Sequence, residues 1–210
     1  VKVLEAARKL NSKKVIFASS CAVYGDTNDL PINEKQMPLP LSPYASQKLS
    51  SEYFGTLYNN LYGIPVVSLR YFNVYGPSQD PDSEYSAVIP IFIKKALKDD
   101  DIIIFGDGTT SRDFIYIEDI IQANLRAAIS AKSDGHVINV AYGYNFTLNE
   151  LANKIIESVG SSSTIEYSEF RKGDVLHSLA ALSEAKRLIG YNPKFDLLSG
   201  LEKTIQFFRQ

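Results

Sequence analysis

Two apolar runs on either side of a well-delimited helix constrain the fold of this chain more than any other feature. Residues 14–20 and 64–75 are rich in β-branched and aromatic side chains, which predicts two buried parallel strands. Between them, Ser42 is placed to cap a helix that begins at Pro43 and continues to the tyrosine before Gly63, which ends it. A strand, a helix and a second strand in this order predict an α/β fold with a parallel sheet.

The rest of the chain predicts further short strands and helices in alternation, without internal repeats. Predicted helices cover residues 3–10, 90–98, 118–131, 148–159, 183–189 and 198–208. Thr147 and Glu150 predict a capping box at the start of the helix over 148–159. Predicted strands cover residues 101–105, 114–117, 136–141 and 164–167. Polar loops are expected at 26–41 and 76–86.

Composition narrows the range of partners. The 210 residues are 45% hydrophobic, and a net charge of −2 gives no reason to expect nucleic-acid or membrane partners. No apolar run approaches the ~18 residues of a membrane span. Cys21 is the single cysteine and neither histidine is spaced with it as a metal ligand, so we expect no metal. Sparse cysteine favours a cytoplasmic location.

Tyr44 and Lys48 are the residues that first indicate chemistry. Four positions apart on the predicted helix, they lie on one face with Cβ atoms about 5–6 Å apart. An ammonium so close to a phenol stabilises the phenolate form, which can then take a proton from an alcohol or sugar hydroxyl near neutral pH. Upstream, Ser19 and Ser20 stand at the carboxyl end of the first strand, where side chains enter the crevice of a parallel sheet.

Seven motifs in order connect these residues with a known family. They are Ser19-Ser20 before Val23-Tyr24-Gly25, Ser42-Pro43-Tyr44 with Lys48, Arg70-Tyr71-Phe72-Asn73, Ala87-Val88-Ile89-Pro90, Gly106-Asp107-Gly108, Ser111-Arg112-Asp113-Phe114, and Arg171-Lys172-Gly173-Asp174. With this pattern, which covers nearly the whole chain, the sequence resembles the extended short-chain dehydrogenase/reductase family, and within it the NAD-dependent nucleotide-sugar 4-epimerases.

The resemblance implies a fold and a division of the chain. We expect the C-terminal part of a Rossmann-type doubly wound parallel sheet, with a smaller mixed α/β lobe that binds substrate. Residues 1–75 would form a partial NAD-binding domain, joined by later segments near 115–145, and residues 76–210 mainly the UDP-sugar lobe. The family's Gly-x-x-Gly-x-x-Gly loop for the NAD pyrophosphate has no counterpart in this sequence, so roughly the first third of a family member is expected to be missing.

The resemblance also implies catalytic roles. A 4-epimerase oxidises its sugar transiently at C4 with NAD, because the C4 hydrogen is not acidic. By resemblance, Tyr44 is the base that takes the O4 proton, and Lys48 binds the nicotinamide ribose and tunes the phenol. Ser20 forms a hydrogen bond with O4 and helps relay the proton. Ser19 is the alternate for this role and a candidate cofactor contact. It is equally open that the Ser19 hydroxyl only caps backbone groups at the end of the strand. Two further residues are expected to line the nicotinamide pocket, Tyr71 and Phe72.

Further positions match residues that bind the UDP-sugar. Arg112 and Arg171 match two arginines whose planar guanidinium groups grip the diphosphate, with surface ion pairs to Asp113 and Asp174 as the alternative. The others, with the part of the ligand that each contacts in the family, are Asn73 (diphosphate), Val88 (sugar), Phe105 (uracil) and Asp174 (ribose).

Ser178 bears on substrate range. It stands four residues after Asp174, where relatives restricted to UDP-glucose and UDP-galactose carry a bulky Tyr. A small residue leaves room for a 2-acetamido group. The resemblance therefore implies interconversion of UDP-N-acetylglucosamine and UDP-N-acetylgalactosamine, together with UDP-glucose and UDP-galactose.

Cys21 and Ala22 bear on the reaction type. Related dehydratases have an Asp-Glu pair at these positions, and related decarboxylases have a Glu at the second. Without a carboxylate there, oxidation and reduction without elimination is the simpler interpretation, and Cys21 is expected to pack rather than to react.

Two alternatives for the function stay open. One alternative is an NAD-dependent epimerase acting on a UDP-uronic acid, which Arg112 and Lys172 would suit. The other is a fragment that binds a UDP-sugar without turnover.

The resemblance further implies a homodimer through paired helices that include 43–62, with three apolar residues available at the interface, Leu49, Phe54 and Leu61.

Overall fold

The structure, a computed structural model that describes residues 1–82, 87–170 and 175–210, alternates strands and helices as expected. The helices are α1 Lys2–Lys9, α2 Pro43–Tyr62, α3 Val88–Ala96, α4 Ile117–Ile129, α5 Leu148–Val159, α6 Ser183–Ile189 and α7 Leu197–Phe208. The strands are β1 Val15–Ser20, β2 Val66–Tyr71, β3 Asn73–Tyr75, β4 Ile102–Phe105, β5 Ser111–Tyr116, β6 Val137–Val140, β7 Asn145–Thr147 and β8 Ile165–Ser168.

One three-stranded sheet contains the two strands expected at the start of the chain. Its order is β1-β2-β6, and all neighbours are parallel, which confirms the α/β class with a parallel sheet. β2 lies in the middle and is buried from Val66 to Arg70, whereas Ala18 in β1 is exposed. The expectation that the first run is buried throughout is therefore wrong, because within the described chain β1 pairs on one side only.

Two smaller sheets carry the remaining strands. β3, β5 and β7 form a mixed sheet in which β5 pairs with β3 in parallel and with β7 antiparallel, and β4 pairs with β8 in parallel. The sequence predicted one strand over 64–75, whereas the structure divides this run into β2 and β3, which belong to different sheets. The sequence also did not predict β7, which is three residues long. It forms through its long-range pairing with β5, and so short a strand has no periodicity of its own.

The helix ends follow the predicted capping residues. The Ser42 hydroxyl accepts a hydrogen bond from the Ala45 amide, and Gly63 adopts a left-handed conformation after the last turn of α2. Thr147 and Glu150 form a reciprocal capping box at the start of α5. Local side-chain chemistry therefore sets these boundaries, as the sequence indicated.

The tyrosines of α2 are only partly packing residues. Tyr58 is buried against Leu4 and Ile64. Tyr53 and Tyr62 are more than half exposed. The helix has one face against the sheet, and the two exposed tyrosines fall outside it.

Two hydrophobic clusters hold the layers together. The first joins the small sheets to helices α3, α5 and α7, through residues that include Tyr75, Ile89, Phe92, Ile104, Phe114, Leu151 and Leu201. The second joins β2 and β6 to helices α4 and α6, through residues that include Val67, Leu69, Ile138, Ala123 and Leu188. The division into domains at residue 75 stays a prediction.

Among the described residues, no helix has the length and apolar character needed to cross a membrane.

Candidate active site

A cavity of about 730 Å³ lies where β1 and β2 end. Side chains at the carboxyl ends of parallel strands converge at such a crevice, which is the usual ligand position in an open α/β sheet. The predicted site residues in its wall are Ser19, Ser20, Tyr44, Tyr71, Phe72, Asn73, Val88, Phe105 and Arg112. Lys48 and Ser178 do not line the cavity, and Arg171 and Asp174 lie outside the described residues.

The predicted pairing of Tyr44 and Lys48 is present. Tyr44, near the N-terminus of α2, is 54% exposed and faces the cavity. The Lys48 ammonium lies 5.5 Å from the centre of the Tyr44 ring and donates a 2.6 Å hydrogen bond to the carbonyl oxygen of Ala18 in β1. This hydrogen bond connects α2, which carries Tyr44, with β1, which ends in Ser20.

The two serines at the end of β1 differ in their surroundings. Ser20 is half-buried, lines the cavity, and its hydroxyl oxygen accepts a hydrogen bond from the amide of Ala22. Ser19 is buried, and its hydroxyl donates to the Glu52 carboxylate. Of the two, Ser20 therefore has the hydroxyl better placed to meet a ligand, and a cofactor contact by Ser19 stays a prediction.

Ser178 supports the cavity wall from behind. It is buried, and its hydroxyl accepts hydrogen bonds from the Asn73 side chain at 3.2 Å and from the Asp113 amide at 3.3 Å. The Asn73 amide also donates to the Asp113 carbonyl at 3.1 Å. A larger side chain at position 178 would therefore press on Asn73, which lines the cavity.

Arg112 reaches the cavity while its guanidinium group donates to the carbonyl oxygens of Ser111 and Leu176. A surface ion pair with Asp113 was the alternative for this arginine, and it is wrong because Asp113 is completely buried. The Asp113 carboxylate instead accepts hydrogen bonds from the amides of Tyr142, Gly143 and Ala180. Burial nevertheless raises the pKa of Asp113 to about 7, against the opposing effect of these three donors.

Phe170 is an aromatic side chain of the cavity wall that sequence reasoning did not identify. Phe170 faces the same cavity as Phe105, because the pairing of β4 with β8 brings residue 105 opposite Ser168. Its ring rests on Gly106, where an added Cβ would lie 2.4 Å from the ring and where the backbone has φ of +87°. The only sequence signal was its place beside the arginine of the last motif, and that signal does not indicate a cavity.

Cys21 has the surroundings of a packing residue. It is half-buried against a cluster that includes Val23 and Phe72. Burial, assisted by the charge of Asp113, raises the pKa of its thiol to about 12. Near neutral pH it is therefore an unreactive thiol. Within the described residues, no group of three histidine, cysteine or acidic side chains could hold a metal ion.

Comparisons with known proteins agree with this geometry. Residues 1–141 match the NAD dependent epimerase/dehydratase family. A protein of Methanocaldococcus jannaschii named as a putative UDP-glucose 4-epimerase is 40% identical over 210 residues, which are 100% of this chain and 67% of that protein.

Two solved structures have closely similar folds. One is a UDP-N-acetylglucosamine 4-epimerase from Methanobrevibacter ruminantium in complex with UDP-N-acetylmuramic acid, with 42% identity and a TM-score of 0.94 over 99% of this chain and 66% of that chain. The other is the UDP-glucose 4-epimerase of Thermotoga maritima with UDP-glucose, with 37% identity and a TM-score of 0.94 over 99% of this chain and 67% of that chain. The chain thus spans about two thirds of the length of these relatives.

Proposed function

The chain belongs to the NAD dependent epimerase/dehydratase family, and from that premise we propose that it carries the chemistry of a UDP-sugar 4-epimerase. Its substrates would be UDP-N-acetylglucosamine and UDP-N-acetylgalactosamine, together with UDP-glucose and UDP-galactose. The observation that carries the proposal is the shared cavity, which Ser20, Tyr44, Phe105 and Arg112 all line. A hydroxyl-activating group and groups suited to a nucleoside diphosphate therefore face the same space.

In this proposal, residues of the chain remove the proton from O4 of the sugar and return it. Tyr44 accepts that proton and returns it, since its phenol is the exposed acid–base group next to the Lys48 ammonium. Ser20 donates a hydrogen bond to O4 and keeps the sugar within reach of the phenol. When bound, NAD supplies reversible acceptance of the C4 hydride.

The residues of this chain fit the nicotinamide end of NAD. Tyr44, Tyr71 and Phe72 line the crevice where β1 and β2 end, and the Lys48 ammonium lies beside the Tyr44 ring. An ammonium with several donors suits a ribose diol, and the ring of Phe72 gives a planar apolar surface. These side chains would hold the nicotinamide and its ribose.

Two further lining residues suit the nucleotide part of the substrate. Arg112 offers a planar guanidinium group to the diphosphate, and Phe105 offers a ring to the uracil. Val88 at the start of α3 and Asn73 at the start of β3 lie beside the sugar in this arrangement. We assign the diphosphate and ribose contacts of Arg171 and Asp174 from sequence resemblance alone.

The residues after Ser20 favour epimerisation over elimination. A dehydratase needs an acid and a base at the positions of Cys21 and Ala22, and neither side chain there transfers protons at neutral pH. A UDP-uronic acid epimerase remains the second candidate, because the cation of Arg112 at the cavity could meet a sugar carboxylate. Identification of the product from each substrate distinguishes the two.

We further propose a homodimer through α2 and a location in the cytoplasm. The outer face of α2 exposes Phe54, Leu57 and Leu61, an apolar row at helical spacing. Leu49 packs partly against the buried cluster around Val23 and contributes less to this face than expected. Cell fractionation tests the location.

The direct test of the function is to incubate the purified chain with UDP-N-acetylglucosamine and added NAD and to separate the products by chromatography. We expect UDP-N-acetylgalactosamine, and the Tyr44→Phe variant as matched control should form none at the same protein concentration. A folded wild-type chain that forms no product would contradict the proposal for this chain. A measurement of UDP binding would then distinguish a non-catalytic UDP-sugar binder from a protein with another ligand.

A further inference from the structure

The face of α2 that carries Tyr44 and Lys48 continues to a third polar residue. Glu52 follows Lys48 by four positions and is almost completely buried, at 2% exposure. Its carboxylate accepts hydrogen bonds from the Ser19 hydroxyl and from the Arg70 guanidinium group. Lys48 and Glu52 therefore hold two consecutive residues of β1, Ala18 and Ser19, immediately before Ser20.

Strand register explains why one carboxylate can reach both partners. Ser19 of β1 lies directly opposite Arg70 of β2 in the parallel pairing. Glu52 approaches from the helix above and receives Arg70 through two bonds, of 2.9 Å and 2.6 Å. One turn later, a Cβ added at Gly55 would lie 2.9 Å from the side chain of Val66, so the helix sits very close to the sheet.

Stability alone does not explain a charged pair at this place. Arg70 is also buried and stacks on the ring of Tyr24, 4.6 Å from its centre. A buried ion pair loses its hydration, and apolar residues of similar volume often give equal or greater stability. What apolar residues cannot supply is a directional bond to the Ser19 hydroxyl.

We propose that Glu52 and Arg70 are positioning residues that set the position of α2 relative to the end of β1. They thereby fix where Tyr44 and Lys48 lie relative to Ser20. They touch no substrate in this scheme and act through the helix and the strand. The catalytic consequence rests on the proposed epimerase function, whereas the structural consequence does not. The pair brings the proton acceptor and the O4-binding hydroxyl to the same point of the cavity.

Two double variants test the inference without leaving a buried charge unpaired. Glu52→Leu with Arg70→Met fills the space with apolar groups, and Glu52→Gln with Arg70→Gln keeps an acceptor for the Ser19 hydroxyl. Asp119→Asn is the matched control, because Asp119 is an equally buried carboxylate that binds the amides of Lys194 and Phe195 in another part of the fold.

The first readout is a crystal structure of each double variant. In the apolar variant we expect the contact between the Lys48 ammonium and the Ala18 carbonyl, 2.6 Å in the wild type, to open beyond hydrogen-bond distance. The amide variant should retain it. An apolar variant in which this bond and the position of α2 are unchanged overturns the inference, whether or not the chain is active.

The second readout is turnover of UDP-N-acetylglucosamine with added NAD. Misplacement of the reacting groups should lower kcat of the apolar variant about 10- to 100-fold with KM changed less than twofold, and the amide variant should recover most of kcat. Asp119→Asn should lower the unfolding temperature and leave both constants unchanged. Equal kcat in the two double variants also contradicts the inference. A wild-type chain without turnover contradicts the proposed function instead, and the crystal structures then decide the inference.

Discussion

Tyr44 and Tyr75 carry the same side chain in very different surroundings. Both line the cavity, but Tyr44 is 54% exposed, whereas Tyr75 is 1% exposed and burial raises the pKa of its phenol. The Tyr75 hydroxyl donates to the carbonyl of Leu197, so it has a structural role. At the residue scale, the roles that we propose for these two tyrosines therefore rest on exposure and neighbouring charge rather than on residue type.

The first residue-scale prediction concerns the Tyr44 hydroxyl. Tyr44→Phe removes the proton acceptor and keeps the ring, so we expect kcat to fall by about 10²- to 10⁴-fold. The affinity for UDP, measured by isothermal titration, should be unchanged because Phe105 and Arg112 are intact. Tyr53→Phe, an exposed tyrosine of the same helix, is the control and should behave as the wild type. Wild-type turnover by Tyr44→Phe would exclude this residue as the base.

The second concerns substrate range. Ser178→Tyr places a large ring against Asn73, which narrows the cavity next to the proposed sugar site. We expect turnover of UDP-N-acetylglucosamine to fall at least about 10-fold relative to UDP-glucose, a ratio that corresponds to about 1.4 kcal/mol. Competition assays with both sugars measure this ratio directly. Ser178→Ala controls for loss of the hydroxyl, and equal losses on both substrates after Ser178→Tyr would refute the assignment.

At the element scale, one carboxylate joins segments that are far apart in sequence. Asp113 in β5 accepts hydrogen bonds from Tyr142 and Gly143 after β6, and from Ala180 before α6. Ala180 follows Ser178 in the segment that forms bridges with Ile32 and Ser111. The wall behind Asn73 therefore depends on a buried acidic side chain.

This arrangement predicts a pH-dependent stability. Burial raises the pKa of Asp113 from 3.8 to about 7, so between these values the folded chain holds a proton that the unfolded chain has released. The free energy of unfolding contributed by this group should therefore be greatest below about pH 4 and decrease as the pH rises to 7, by on the order of 1–4 kcal/mol. Urea unfolding of the wild type and Asp113→Asn at several pH values gives the difference due to this group. A wild-type advantage that grows with pH would show that the three amide donors outweigh burial.

At the scale of the whole molecule, α2 and α4 cover opposite faces of the parallel sheet. α2 approaches Val66 and Ser68 of β2, while α4 packs with Val67 and Leu69. Alternate residues of a strand point to opposite faces, so the two helices lie on different sides. Both expose apolar rows, Phe54, Leu57 and Leu61 on α2, and Ile121, Leu125 and Ile129 on α4.

These two faces give a matched test of the proposed dimer. Leu61→Glu on α2 should convert the dimer to a monomer, because a charge is costly in an apolar interface. Leu125→Glu on α4, with comparable exposure, should leave the dimer intact. Sedimentation velocity measures both. Dissociation by Leu125→Glu alone would move the interface to α4, and a monomeric wild type would remove the dimer from the proposal.

Local features of the chain were predictable because they depend on neighbours in sequence. Ser42 with Pro43 and Gly63 delimited α2, and the capping box at Thr147 began α5, since each motif satisfies backbone groups within a few residues. The spacing of Tyr44 and Lys48 predicted their proximity for the same reason. Most of the site residues that the motifs identified line one cavity.

Tertiary structure alone decided which of these residues are buried and which partners they meet. Strand pairing and helix packing gave the Ser19 hydroxyl a partner in Glu52, buried the Asp113 carboxylate and brought Phe170 into the same cavity wall as Phe105. The packing of α2 on the sheet also brought Glu52 to Arg70, 18 positions later in the sequence. These contacts depend on strand register and helix packing over long separations, which no local pattern of side chains encodes.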